Sequence, residues 1–132
     1  MMRVLVVDDD ELQLAAVEEL FLRVEACEVA IASSGAEALA CLKTQTLPDL
    51  VLMDIQMPEF DGYQTIEYLR MNGFSKPVIA LSAHAMREDR ERSLASGFSE
   101  HLCKPVNRQE LLSRIAALVK PVSNFLPNYE MQ

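Results

Sequence analysis

The sequence predicts an α/β protein in which five parallel strands form one doubly wound sheet with helices on both faces. Short apolar segments alternate with longer amphipathic ones along most of the 132 residues. The short segments are mostly apolar and do not alternate between apolar and polar residues, which is typical of strands buried on both faces. With 50% hydrophobic residues the chain can bury one real core, with little room for a second. We expect the domain to span residues 1–120 and a tail or linker to follow over residues 121–132.

The five predicted strands are short, and most of their residues are apolar. They are RVLVV, CEVAIA, DLVLMD, KPVIALS and SEHLCK, beginning at Arg3, Cys27, Asp49, Lys76 and Ser99. Pro77 lies at the start of the fourth strand, where a missing N–H group is tolerated. In parallel sheets of this kind, ligands and chemistry collect at the carboxyl ends of the strands. Residues at those ends are therefore the candidates for function.

Each predicted strand is followed by a segment with helical signals. These segments are residues 11–24, 33–43, 61–72, 85–97 and 107–120. Ser34 and Glu37 have the spacing of a capping box, and Asn107 is placed as the N-cap of the last helix. Gly73 and Gly97 end the third and fourth helices. The fourth segment is polar and only weakly amphipathic.

Composition excludes several classes of function. A formal net charge of -8 and a pI near 4.7 argue against direct contact with nucleic acid, which needs a basic surface. No apolar run is long enough to cross a bilayer, so we expect no direct membrane contact. The 3 cysteines form no CxxC motif, and with no secretory signal this pattern favours a reducing, cytoplasmic setting.

Acidic and polar residues follow four of the predicted strands. They are Asp8, Asp9 and Asp10 after the first, Asp54 after the third, Ser82 after the fourth and Lys104 after the fifth. Two carboxylates about 4 Å apart repel by roughly 4 kcal/mol at an effective dielectric constant near 20. Either one of them is protonated or a cation lies among them, and oxygen ligands alone favour a hard ion such as Mg²⁺. For Asp10 we expect helix capping instead of metal binding.

These groups together suit a transferred phosphoryl group. Asp54 would be the nucleophile, while a metal ion and Lys104 would neutralise the phosphoryl oxygens. Ser82 would donate a hydrogen bond from its hydroxyl group.

Four segments in order, VLVVDDDE, LVLMDIQMPEFDGY, VIALSAHAM and HLCKP, resemble the receiver domain of two-component response regulators. The resemblance runs from about Arg3 to Lys120. It implies a flavodoxin-like fold with strand order 2-1-3-4-5 and a cis bond before Pro105. It also implies a role for each site residue: Asp54 as phosphoacceptor, Asp8, Asp9, Asp54 and the backbone carbonyl of Gln56 as the Mg²⁺ site, and Ser82 and Lys104 as phosphoryl ligands.

The two histidines occupy positions that vary in receiver domains. His101 lies three residues before the lysine, where many members have a Tyr or Phe that turns inward on activation, so that mechanism is in question here. His84, with Gln56, is expected to tune how fast the phosphoryl group is lost. The resemblance further implies that activation changes the face formed by the fourth helix, the fifth strand and the fifth helix.

Several functions remain open at this point. The main one is Mg²⁺-dependent acceptance of a phosphoryl group from a histidine kinase or histidine phosphotransfer domain, which is signalling and not turnover of a substrate. The rivals are an aspartyl-phosphate phosphohydrolase, a flavodoxin-type FMN binder and a degenerate receiver used only for docking. The parent is expected to be a hybrid sensor histidine kinase or phosphorelay, with a free-standing regulator as the alternative. We expect a monomer or weak dimer, with a possible downstream effector protein as a second partner.

Overall fold

The structure is a computed structural model that describes residues 2–22, 24, 27–43, 47–84 and 86–119. The predicted tail over residues 121–132 lies outside the described residues. Within them the chain alternates strands and helices. The elements in order are β1 (Met2–Val7), α1 (Glu11–Glu19), β2 (Cys27–Ala32), α2 (Gly35–Leu42), β3 (Leu50–Asp54), α3 (Gly62–Met71), β4 (Val78–Ser82), α4 (Arg87–Ser96), β5 (Glu100–Cys103) and α5 (Arg108–Leu118).

The five strands form one parallel sheet in the order β2-β1-β3-β4-β5, which confirms the predicted fold and strand order. The register aligns the strand ends. Val7 lies opposite Met53, Asp54 lies opposite Leu81, and Ser82 lies opposite Cys103. The residues that end β1, β3, β4 and β5 therefore meet at one edge of the sheet.

The core consists of two clusters, one on each face of the sheet. Successive side chains of a strand point to opposite faces, so Leu50 and Leu52 join one cluster while Val51 and Met53 join the other. The first cluster is closed by α1 and α5, and the second by α2 and α3. All five residues of β3 are buried. This burial explains why β3 is apolar throughout up to Asp54.

Helix α1 ends five residues before the predicted end at Val24. After Glu19 the backbone continues in tighter turns, in which the Phe21 N–H donates to the Glu18 carbonyl at 3.0 Å. The Arg108 guanidinium donates to the Leu20 carbonyl at 3.2 Å, so this oxygen at the helix end has a partner. Phe21 stays buried and Val24 packs on the same cluster. The apolar spacing predicted the buried face correctly but not the end of the α-helix.

The capping box predicted at the start of α2 forms only in part. Ser34 accepts from the Glu37 N–H at 3.0 Å, but the Glu37 carboxylate accepts from the Ser33 hydroxyl and not from the cap backbone, so this box is incomplete. A full capping box forms instead at α3, between Asp61 and Gln64.

Helix α4 has fewer fully buried residues than any other described helix. Ser93 is its one fully buried residue. The Arg92 guanidinium lies 3.9 Å from the centre of the Tyr63 ring of α3. The helix ends at Gly97, whose φ of 118° is a left-handed conformation that favours glycine. The low burial agrees with the polar, weakly amphipathic sequence of this segment. None of the helices described is long and apolar enough to cross a membrane.

Candidate functional site

Two buried carboxylates lie side by side at the carboxyl edge of the sheet. Asp8 follows β1 directly and is 2% exposed, and Asp54 ends β3 and is 3% exposed. The Asp8 N–H donates to the Ala32 carbonyl of β2 at 3.1 Å, and this bond fixes the turn out of β1. Burial of a carboxylate is unfavourable unless a partner compensates its charge.

Lys104 supplies that compensating charge in the structure. Its ammonium group lies 2.9 Å from Asp54 Oδ1 and 3.1 Å from Asp8 Oδ2, and its side chain is 16% exposed. The Lys104 N–H donates to the Ser82 carbonyl at 2.8 Å, which fixes the backbone of this lysine at the end of β5. One lysine thus bridges carboxylates that are 96 and 50 residues away in the sequence.

One ammonium group does not fully stabilise two buried carboxylates. Burial raises the pKa of Asp54 from its usual value of 3.8 to about 6; the hydrogen bond from Lys104 opposes this change, and the charges of Asp8 and Asp9 add to it. Burial acts to lower the pKa of Lys104, but its bonds to Asp54 and Asp8 outweigh burial and raise that pKa. The site therefore has an excess of negative charge, and a further cation would relieve it.

Asp9 completes a set of ligands suited to a divalent cation. One oxygen from each of Asp8, Asp9 and Asp54 lies within 4.8 Å of the other two. Asp9 is exposed, so the set opens to solvent on one side. Oxygen ligands of this kind are those that Mg²⁺ prefers, and the donor set fits that ion. The predicted contribution of the Gln56 carbonyl stays a prediction.

Asp10 lies next to this set and has a different role. Its side chain accepts a hydrogen bond from the Leu12 N–H at 2.9 Å and caps α1. Its own N–H donates to Asp8 Oδ1 at 2.9 Å. The prediction that Asp10 caps a helix is confirmed, and its backbone also orients Asp8.

The Ser82 hydroxyl group is hydrogen-bonded within the loops around the site. Its oxygen lies 3.3 Å from Nε2 and 3.5 Å from Oε1 of Gln56, and it accepts from the His84 N–H at 3.0 Å. Ser82 is 1% exposed, while Gln56 is exposed. The sequence-predicted residues 56, 82 and 84 are thus neighbours.

His101 is buried and points inward in this structure. It is 1% exposed, and its two ring nitrogens bond to the Ser93 hydroxyl at 2.7 Å and to the His84 carbonyl at 3.0 Å. Sequence reasoning identified the position of His101 but missed Ser93. A single serine on a polar helix carries no pattern that distinguishes it from its exposed neighbours, so no signal in the sequence could have found it.

The segment after Asp54 packs tightly against the end of β3. A Cβ atom on Gly62 would lie 2.7 Å from the Asp54 carbonyl oxygen and 2.7 Å from the Ile55 Cα, so only glycine fits there. The Gly62 N–H donates to the Ile55 carbonyl at 2.9 Å. The Lys104–Pro105 bond is cis, as the resemblance implied.

The comparisons with known proteins agree with this geometry. The family model described as "Response regulator receiver domain" matches residues 4–116. The transcriptional regulatory protein PrrA of Mycobacterium tuberculosis is 42% identical over 118 residues, which is 89% of this chain and 50% of that protein. The cell cycle response regulator CtrA of Brucella ovis is 34% identical over 119 residues, 90% of this chain and 50% of that protein. The chain therefore spans about half the length of these curated relatives.

Solved structures show the same fold. The chemotaxis protein CheY4 of Vibrio cholerae superposes with a TM-score of 0.81 at 27% identity, covering 90% of this chain and 99% of that one. The receiver domain of a signal transduction histidine kinase from Syntrophus aciditrophicus superposes with a TM-score of 0.80 at 27% identity, covering 93% of each chain. Because the family model covers most of the described residues, the chain belongs to the response regulator receiver domain family, the signalling domains of two-component systems.

Proposed function

We propose that Asp54 is the residue of this receiver domain that accepts the phosphoryl group. The observation that carries the proposal is the placement of Asp54 against Lys104 and within reach of Asp8 and Asp9. Burial and the neighbouring acids Asp8 and Asp9 raise the pKa of Asp54, which makes its ionised oxygen a stronger nucleophile.

The reaction is the displacement of a histidine by a carboxylate. An oxygen of Asp54 attacks the phosphorus atom, the P–N bond to the donor's imidazole breaks, and its electron pair stays on that nitrogen, which takes up a proton. Lys104 is placed to contact a phosphoryl oxygen, because its ammonium group already lies 2.9 Å from Asp54 Oδ1. Ser82 would donate its hydroxyl hydrogen to a second oxygen once it leaves Gln56.

The three acidic side chains would hold Mg²⁺, with Asp8, Asp9 and Asp54 as ligands and the Gln56 carbonyl as a further one. When bound, the ion neutralises charge on the phosphoryl oxygens during transfer. The rival reading, a phosphohydrolase, needs a second carboxylate two residues after the nucleophile as acid and base. That position holds Gln56, which supports slow loss of the phosphoryl group instead of turnover.

The test uses acetyl phosphate as the donor, with Mg²⁺ present. We expect intact mass to show one added phosphoryl group and peptide mapping to place it on Asp54. Asp54→Asn and a chelator should each abolish it. Asp10→Asn is the matched control, because it makes the same chemical change two residues from Asp8 and asparagine caps helices as well as aspartate does. Modification at another residue, or none in the unaltered chain, would overturn the assignment.

The structure also offers a surface for the protein donor. A groove of about 490 Å³ runs beside Lys104 and is lined by α1 residues, among them Ala16 and Leu20, and by Pro105 and Val106. We infer that a histidine kinase or histidine phosphotransfer domain docks a helix here, because the groove is mostly apolar and leads to the site. A donor histidine must approach Asp54 closely, so the docking surface must adjoin it.

Two alanines of α1 make this docking testable. Ala16 and Ala15 are both exposed, but only Ala16 lines the groove. With a purified phosphorylated histidine phosphotransfer domain as donor, Ala16→Arg should slow transfer at least tenfold and Ala15→Arg should not. Both variants should accept from acetyl phosphate at the unaltered rate. Equal effects of the two substitutions on transfer would exclude this groove as the docking surface.

The parent protein stays a prediction. A hybrid histidine kinase or phosphorelay was expected from the sequence, with a free-standing regulator as the alternative. Among the proteins matched are a regulator named as transcriptional and a receiver domain named as that of a histidine kinase, and the chain resembles both.

A further inference from the structure

The end of helix α3 is built around an asparagine followed by a glycine. Asn72 is the C-cap residue, and Gly73 follows it with a φ of 86°. The Gly73 N–H donates to the Arg70 carbonyl at 3.1 Å. The Phe74 N–H donates to the Leu69 carbonyl at 3.0 Å. These two bonds form a Schellman motif, in which a glycine with positive φ closes a helix. The fold of this turn therefore accounts for a glycine directly after Asn72.

Asn72 and Gly73 form a pair that is chemically reactive. The side-chain carbon Cγ of an asparagine can close a five-membered ring with the next backbone nitrogen, and glycine has no Cβ atom to hinder that attack. The chain has 4 asparagines, at positions 72, 107, 124 and 128, and glycine follows only Asn72. Both residues of the pair are exposed, and nothing lies within 4 Å of the position that a Cβ atom of Gly73 would take. The structure therefore leaves room for ring closure here.

Two hydrogen bonds hold the reacting groups apart in the folded chain. Asn72 Nδ2 donates to the Tyr68 carbonyl at 2.8 Å. The Gly73 N–H is bonded to the Arg70 carbonyl. Ring closure requires the amide group to turn towards the Gly73 nitrogen and that nitrogen to lose its proton, so both bonds must open first. The last turn of a helix opens at low cost, so these bonds slow the reaction without preventing it.

We propose that Asn72 is a site of spontaneous chemical modification, and that the product loosens the end of α3. The Gly73 nitrogen gives up its proton and attacks Cγ of Asn72. A C–N bond forms, and the side-chain nitrogen takes up a proton and leaves as ammonia. Water then opens the succinimide ring at one of its two carbonyl groups. The products are aspartate and isoaspartate, whose main chain runs through the former side chain and is one methylene longer. The net change is uptake of one water and release of one ammonia.

The product disturbs two sets of contacts at the end of α3. A carboxylate at position 72 cannot donate to the Tyr68 carbonyl, and its charge lies at the negative end of the helix dipole. The side chain of Arg70 holds the segment that follows, because its Nη1 atom donates to the carbonyls of Phe74 at 2.8 Å and Lys76 at 2.7 Å. Its Nε atom donates to the Gly97 carbonyl at the end of α4, at 3.0 Å. A longer main chain at position 72 therefore displaces acceptors of the side chain that joins α3 to α4.

The first experiment compares the full chain with a synthetic peptide of residues 68–77 in the same mildly alkaline buffer. Peptide mapping by mass spectrometry follows the conversion of each asparagine. We expect Asn72 to react about tenfold more slowly in the folded chain than in the peptide, because the last turn must open first. It should react faster than Asn107, whose next residue carries a side chain. Gly73→Ala should suppress the reaction although it strains the turn, because its Cβ atom hinders the attack.

Several results would overturn this site. Equal rates in the chain and the peptide would show that the two hydrogen bonds do not hold the reacting groups apart. Earlier conversion at Asn107, or no conversion at Asn72 long after the peptide has reacted completely, would exclude Asn72 as the reactive position. Conversion of Gly73→Ala at the rate of the unaltered chain would exclude ring closure on the Gly73 nitrogen.

The second experiment measures the stability of the product. We expect urea unfolding to give a folding equilibrium constant about fivefold lower for Asn72→Asp than for the unaltered chain, the size of one net hydrogen bond. The converted chain, separated by ion-exchange chromatography, also contains isoaspartate and should be less stable again.

Asn107→Asp is the matched control for this measurement. It makes the same chemical change at the start of α5, where the Asn107 side chain accepts from the Glu110 N–H at 3.0 Å and a carboxylate caps the helix as well. Its folding equilibrium constant should not fall. If Asn72→Asp is as stable as Asn107→Asp, or the converted chain is as stable as the unaltered one, modification does not loosen the end of α3.

Discussion

Replacing Asp54 by asparagine should stabilise the fold when no divalent cation is present. The folded-state pKa of Asp54 is about 6 against a usual value of 3.8. A change of one in pKa corresponds to about 1.4 kcal/mol, so ionised Asp54 lowers the free energy of unfolding by about 3 kcal/mol at pH 7. Asparagine keeps the shape and an acceptor for Lys104 without the charge. We expect Asp54→Asn to gain about 1–3 kcal/mol in a chelating buffer.

The pH dependence provides the sharper test. A carboxyl group whose pKa is raised on folding lowers stability above its folded pKa and has no such effect below its unfolded pKa. The gain from Asp54→Asn should therefore be complete above about pH 6 and shrink to nothing near pH 4. The measurement is urea unfolding at a series of pH values in a chelating buffer, which gives the free energy of unfolding directly.

Glu67→Gln serves as the matched control, because Glu67 is an exposed acid on α3 and its loss changes the net charge equally. It should change the unfolding free energy by less than about 0.5 kcal/mol. If Asp54→Asn is less stable than the unaltered chain at pH 7, or if its gain is the same at pH 4 and pH 8, the argument from burial and repulsion is refuted.

The remaining predictions concern the cation, the lysine and the glycine at the site. Mg²⁺ should raise the melting temperature of the unaltered chain with the logarithm of its concentration, and Asp9→Asn should need more Mg²⁺ for the same rise, as seen by differential scanning fluorimetry. Lys104→Met leaves two buried carboxylates without their ammonium partner, so it should cost about 3 kcal/mol in chelating buffer at neutral pH and less as Mg²⁺ is added, as measured by urea unfolding. Gly62→Ala places a Cβ atom 2.7 Å from the Asp54 carbonyl oxygen and should cost about 2 kcal/mol or more, measured in the same way. Gly73→Ala should cost only about 1 kcal/mol, because its φ of 86° disfavours a side chain but nothing lies within 4 Å.

Each of these predictions has a result that contradicts it. An equal response of the unaltered chain and Asp9→Asn to Mg²⁺ would place the ion elsewhere. A Lys104→Met chain as stable as the unaltered one in chelating buffer would show that the ammonium group does not compensate the carboxylates. Equal costs at Gly62 and Gly73 would mean that the close approach to β3 is not what requires glycine.

The sequence predicted the sheet because its strands carry a signal that depends on local residues alone. Segments such as residues 50–53 are apolar throughout, and a strand of a sheet covered on both faces buries such a segment completely. The location of the site was predicted from the same signal, since the carboxyl ends of parallel strands lie at one edge of the sheet. The sequence alone therefore predicted that Asp54 and Lys104 lie close together.

The parts that could not be predicted depend on contacts between distant residues. The end of α1 is set by tight turns and by Arg108, which reaches the Leu20 carbonyl from 88 residues away. The partner of His101 is a buried serine of α4, and neither residue type reveals burial by itself. Packing between helices and strands decides which of these contacts form. The residue pattern of a single segment does not contain that information.

The same structure explains why a change at Asp54 would be transmitted through α4 and not through the rest of the core. The two apolar clusters are densely packed, and a small displacement within them is costly. The contacts of helix α4 with its neighbours include the Ser93–His101 bond, the Arg92–Tyr63 contact and the Arg90–Glu100 ion pair. Each of these is worth about 1 kcal/mol. Phosphorylation adds about -1.5 to -2 charges and three strong acceptors next to Ser82. An interaction of a few kcal/mol at that point is enough to shift the population of a helix held by contacts of this strength, whereas it is too small to rearrange the clusters on the two faces of the sheet.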